Sequence, residues 1–210
     1  MRKFIILVLA ALLFFPLGVS AEVYELRRNL SVILPELPAP WTVSREASPA
    51  LVEHLAEHLL EDAERAGRTL SKDDALRGAR QRLATNDLLI FNEQSEAHVL
   101  ISFSPIGRRD ADPSADAVAI SARYAAEGVS DEGWEKTAEE HRPVEVKGAQ
   151  QAQYFKIEYT EDGDPHLFMG IVGYARPFWF WVYANDHLKD PADRPVLENI
   201  LNNIEIRASR

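Results

Sequence analysis

The sequence predicts an α+β fold: an antiparallel β-sheet flanked by helices. Two observations carry that prediction. The candidate elements come in groups, in the order strands, helices, hairpin, helices, three strands, helix, a segregation that suits antiparallel pairing better than a wound parallel sheet. Asp162-Gly163 also sits between two long apolar runs, and a two-residue hairpin turn needs positive φ.

The chain opens with Met1-Arg2-Lys3, an apolar run from Phe4 to Val19, and Val19-Ser20-Ala21 before Glu22. A positive start, an apolar stretch and a small-residue site predict a secretory signal peptide over residues 1–21, cut after Ala21. Pro16 and Gly18 argue against an uncleaved anchor, which needs about 20 apolar residues in a row. Residues 22–210 are then expected to form one globular domain, periplasmic or secreted, soluble and without a membrane anchor.

Val23–Leu26 and Ser31–Leu34 read as short strands, followed by a proline-rich turn, Pro35 to Pro40, leading to Trp41. Ser48-Pro49 is an N-cap with proline at the first helical position, so a helix should run to about Ala66 and stop at Gly67. Ser71-Lys72-Asp73-Asp74 has capping-box spacing and predicts a second helix to about Ala84. Residues 87–92 and 97–103 read as a hairpin. A helix follows Pro113 and can end at Gly128, and a short helix is expected around Asp131–Glu140 with Trp134 as its anchor. Strands are then expected at Val144–Val146, Gln151–Thr160, Leu167–Ala175 and Phe178–Tyr183. Asp193–Asn203 closes the chain as a helix, with Val196, Leu197, Ile200, Leu201 and Ile204 at helical spacing.

The formal charge is −10, and loss of Arg2 and Lys3 with the leader takes it to −12. A chain this acidic repels nucleic-acid phosphates and anionic lipid. It has no cysteine, which removes thiol nucleophiles, thiolate metal sites, iron–sulfur clusters and a lipidated N-terminal cysteine.

Pro40-Trp41, the pair Leu88-Leu89-Ile90-Phe91 and Val99-Leu100-Ile101-Ser102-Phe103, the late triple of strands and the closing segment from Val196 to Ile206 together resemble the Mog1/PsbP-like group of α/β/α sandwich proteins. The resemblance spans most of residues 30–206. It implies an antiparallel sheet between helices, here with an additional N-terminal helix pair, and accessory binding to a larger partner in place of catalysis.

Three constellations are candidates for chemistry. His54-Leu55-Ala56-Glu57-His58 is an HxxEH on a predicted helix: histidines at i and i+4 can share zinc, with Glu57 placed to activate water. The motif is similar to the inverted zinc motif of insulysin-like peptidases. That resemblance implies a third ligand on a later helix, for which Glu127, Glu132 and Glu135 are the candidates. The helical wheel sets Val52, Leu55, Leu59 and Ala63 on the core side and leaves His54, Glu57, His58 and Glu61 on a solvated face. Asp110, Asp112, Ser114 and Asp116 have calcium-loop spacing, but Ala115 and Ser121 stand where glycine and glutamate belong, so a capped helix start is expected. Trp179, Trp181 and Tyr183 share one strand face, either as core packing or as a platform for a ligand. His98, His141, His166 and His187 read as isolated histidines. GxSxG and phosphate-binding glycine loops are absent.

The sequence thus points to an exported, soluble, non-catalytic binding or accessory protein that serves an envelope or secreted partner and needs no cofactor. A small zinc-dependent hydrolase using His54, His58 and Glu57 is the alternative, and a small-molecule ligand on the Trp179 face is a further possibility.

Overall fold

The computed structural model describes residues 21–107, 109–131, 134–161 and 163–209. Residues 1–20 of the expected leader lie outside the described residues, and Ala21, its expected last residue, opens the first strand. In chain order the elements are β1 (Ala21–Arg27), β2 (Leu30–Pro35), β3 (Trp41–Ser44), α1 (Pro49–Arg65), α2 (Lys72–Leu83), β4 (Leu88–Asn92), β5 (His98–Pro105), α3 (Ala115–Asp131), β6 (Glu135–Pro143), β7 (Gln151–Glu161), β8 (Asp164–Ala175), β9 (Phe178–Asp186), α4 (Asp193–Asn203) and β10 (Glu205–Ala208). The architecture is α+β, as expected.

Seven strands form one sheet in the order β3-β4-β5-β9-β8-β7-β6, antiparallel throughout. A second sheet pairs β1 and β10 with β2. Strand β9 is central because Phe178 to Tyr183 is apolar on both faces, and its alternate side chains feed two cores. Phe178, Phe180, Val182 and Ala184 enter a core shared with β2 (Leu30, Val32, Leu34) and α4 (Leu197, Ile200, Leu201). The opposite face carries Trp179, Trp181 and Tyr183 and is covered from two ends. Helices α1 and α2 pack on Leu89 and Phe91 of β4, while α3 lays Ala122 and Ala126 on Phe155, Ile157 and Tyr159 of β7.

Local chemistry sets the helix ends. Ser48 Oγ accepts from Leu51 N at 3.2 Å to start α1. Gly67, at φ +65°, turns the chain out of the helix while its N–H reaches Glu64 O at 2.9 Å. Ser71 Oγ likewise accepts from Asp74 N at 3.1 Å, and Asp73 and Asp74 favour the positive end of α2.

Five expectations need correction. The segment expected as a short helix around Asp131–Glu140 is mostly strand: β6 pairs with β7 from Glu135↔Thr160 to Pro143↔Gln153. Its polar sequence lacks a buried stripe of its own, and edge strands tolerate such charge. Gly128 does not end α3, because packing against β7 outweighs a lone glycine's cost of about 1 kcal/mol. Val144–Val146 is irregular, although Val146 is buried. Trp41 begins a strand, β3, and Ile204 ends α4 with extended backbone that leads into β10, because Ile206 packs into the shared core.

Candidate functional site

The two helical covers leave a cleft between them over β5, β9 and β8, with a volume of about 560 Å³. Leu100 of β5, Phe168 of β8 and Tyr183 of β9 are among its lining, joined by Leu55 and Leu83 from the helix pair and Trp134 beyond α3. Asp62, Arg82, Asn86 and Asn185 add polar groups. Tyr183 therefore stands in the cleft. Trp179 and Trp181, its companions on the same strand face, lie outside it, stacked on each other with centroids 6.1 Å apart and half-buried.

One wall of the cleft is built from histidines. Spacing i, i+4 puts His54 and His58 on one side of α1, with ring centroids 4.7 Å apart. His187, one residue beyond β9, reaches the same place: its ring centroid is 4.8 Å from His54 and 5.5 Å from His58. His98 of β5 lies 5.6 Å from His54, and His166 of β8 lies 5.2 Å from His187. Five of the six histidines thus converge, and only His141, on β6, stands elsewhere.

Two expectations are corrected here. His54 is not on a solvated face; it is 6% exposed, because α1 is covered by α2 on one side and meets the ends of β5 and β9 on another. Nor are His98, His166 and His187 isolated. Glu57 does point to solvent, as do Glu127 and Glu135, while Glu132 lies outside the described residues.

Each imidazole has a defined second partner. His98 Nδ1 meets the Glu96 carbonyl at 3.0 Å and its Nε2 meets Asn185 Nδ2 at 3.2 Å. A carbonyl only accepts and an amide nitrogen only donates, so His98 carries its proton on Nδ1 and both nitrogens are satisfied. His54 Nδ1 lies 3.4 Å from the Glu96 carboxylate, which also pairs with Lys189. His58 Nδ1 lies 3.5 Å from Glu61, and His187 Nδ1 meets His166 Nδ1 at 3.2 Å. The Nε2 atoms of His54 and His187 are buried without a hydrogen-bond partner among the described residues.

Burial, then repulsion from neighbouring imidazoles, pushes His54 down to about 3 and His187 down to about 2. His98 falls to about 4 through burial, against the opposing pull of its bond to Glu96, and burial also lowers His166. These four rings are neutral near pH 7, with a free lone pair wherever a nitrogen is unprotonated.

The acidic loop is put to a structural use. Asp112 accepts from Tyr174 Oη at 2.8 Å, Asp110 accepts from Gly107 N at 2.9 Å, and Ser114 Oγ accepts from Ala117 N at 3.2 Å. The loop caps α3 as expected.

The histidine wall could not be read locally. His98 and His187 fall on the same sheet face as Leu100 and Tyr183 by strand parity. The β5–β9 register that brings them beside α1 joins segments more than 70 positions apart and is set by packing.

No family model and no curated protein matches the chain. Among solved structures it is similar to LpqN of Mycobacterium tuberculosis, a protein involved in cell envelope biogenesis, at 13% identity over 90% of this chain and 91% of that chain, with a TM-score of 0.48. Cyanobacterial PsbP (CyanoP) from Synechocystis sp. PCC 6803 matches at 13% identity over 91% of this chain and 95% of that one, with a TM-score of 0.41. A protein of unknown function from Pseudomonas aeruginosa, PA94, matches at 14% identity over 85% and 88%, with a TM-score of 0.31.

Proposed function

We propose that this chain is an exported, non-catalytic binding module that holds a small amphiphilic ligand in the cleft between the helix pair and α3. The single observation that carries the reading is the cleft itself: about 560 Å³, floored by Leu100, Phe168 and Tyr183 and edged by Asp62, Arg82 and Asn185. Ligand sites typically have this size, an apolar body and a few placed polar groups. The floor would take an aromatic or acyl body, and the polar edge a charged or hydrogen-bonding head. Export rests on the N-terminal sequence pattern, and service to an envelope partner follows from that address.

A hydrolase reading asks Glu57 to activate water beside His54 and His58. The exposure of Glu57 on the outer side of α1 speaks against that role.

The test is titration with anilinonaphthalene sulfonate, an amphiphile with an aromatic body, followed by its own fluorescence and that of Trp134. Saturable one-to-one binding that is abolished by Ser102→Phe, which fills the floor beside Leu100, supports the cleft. Binding that Ser102→Phe leaves unchanged, or no saturable binding, overturns it.

A further inference from the structure

We propose that His54, His58 and His187 form a binding site for one divalent transition-metal ion of the zinc class. Each offers one nitrogen, and the three lie within 4.8 Å of one another. Ligands at about 2.0–2.1 Å around a tetrahedral ion are about 3.4 Å apart, so small side-chain rotations close the site.

The placement of the Nδ1 atoms favours this use. All three rings direct Nδ1 toward a partner: Glu96 for His54, Glu61 for His58 and His166 for His187. Metal-bound histidines commonly hold their second nitrogen in this way, which fixes the ring and raises its basicity. What remains is Nε2, and on both His54 and His187 that atom is buried and unpartnered among the described residues. A buried acceptor left unmet is destabilising. A cation at the centre of the three rings would satisfy both atoms at once.

The same logic says why the fourth and fifth histidines are not ligands. His98 has both nitrogens engaged, by Glu96 and Asn185, and His166 serves as the partner of His187. An overlapping group, His58 with Glu61 and Glu161, is the weaker choice because Arg65 already holds the Glu161 carboxylate. Imidazole donors suit zinc, copper and nickel. His58 and His187 line the cleft, so a fourth coordination position opens toward it for water or a donor atom of a bound molecule.

This site goes beyond the cleft reading and does not depend on it: metal binding needs no amphiphile, and loss of either leaves the other intact. The purified full chain is stripped with a chelator and titrated with Zn²⁺ against a chromophoric competitor. Co²⁺ absorption reports coordination geometry. The expected result is one ion per chain, an intense tetrahedral Co²⁺ band, and affinity lowered at least 30-fold by His187→Ala and by His58→Ala, with His141→Ala unchanged. His187→Gln, which keeps a polar side chain but removes the imidazole, guards against misfolding, and circular dichroism checks each variant. No stoichiometric site in the parent protein overturns the proposal. So does an affinity that a folded His187→Gln variant leaves unmoved, since the metal would then rest on the His54/His58 helix pair alone.

Discussion

The side-chain amide of Asn92, the last residue of β4, donates to the Asp193 carboxylate at the start of α4, 2.8 Å away and 101 positions later. Both are buried, at 3% and 1% exposure. The bond ties the helix-covered sheet to the element that caps its other face. Asn92→Ala should cost about 2–3 kcal/mol, because it strips a buried carboxylate of a charge-assisted partner. Asp193→Asn added to Asn92→Ala should recover part of the loss by removing the stranded charge. Urea denaturation of the four members of this cycle measures the coupling.

Two glycines at positive φ should respond differently to alanine. Gly163 turns the β7–β8 hairpin at φ +93° with nothing within 4 Å of a would-be Cβ, so only backbone strain is added, about 1–2 kcal/mol. Gly148, at φ +87°, lies against β10, and a Cβ there would sit 1.7 Å from the Ile206 carbonyl oxygen. Gly148→Ala should therefore detach β10 as well as strain the loop, and cost more than twice as much as Gly163→Ala. Thermal unfolding of the two variants gives the comparison.

Ala122 and Ala126 are fully buried where α3 meets β7, which lets the helix lie close to Phe155 and Ile157. Ala126→Leu should push α3 outward and destabilise the protein by about 1–3 kcal/mol through overpacking. Calorimetry checks the stability.

Burial raises the Tyr183 phenol to about 12, and burial with the nearby Glu140 carboxylate raises Tyr154 to about 12 against the opposing Arg142. Both native values lie above the ordinary 10.0, so the unfolded chain gives up these protons first. The stabilisation is complete below pH 10 and is lost as pH climbs toward 12, at a slope of at most about 1.4 kcal/mol per pH unit for each phenol. Near-ultraviolet absorbance should show both phenols titrating late, along with Tyr24, which burial and the Glu22 carboxylate also raise, and Tyr183→Phe should remove one late step and flatten the slope.

Capping chemistry and periodicity made α1, α2 and α4 legible: Ser48, Ser71 and the Asp193–Asn203 spacing each act within one or two helical turns. The hairpin turn at Gly163 was equally local. Strand β6 escaped because its residues answer to β7 and not to their own periodicity, and β3 and β10 are four residues each, too short to show one. The helix motif exposed His54 and His58, but not what they face. His187 and His98 join them only through long-range strand pairing, and the burial of His54 follows from the same assembly.

Strand β6 ends the seven-stranded sheet with Glu135, Lys136, Glu139, Glu140 and Arg142, and Pro143 closes it. Charges and a proline on the outermost strand refuse hydrogen-bonded addition of another chain. Side-by-side growth of sheets into fibrils is thus blocked at this border, and a client peptide cannot be captured there by extending the ladder. Recognition is left to side chains and shape, on the faces and in the cleft, where selectivity can be written residue by residue.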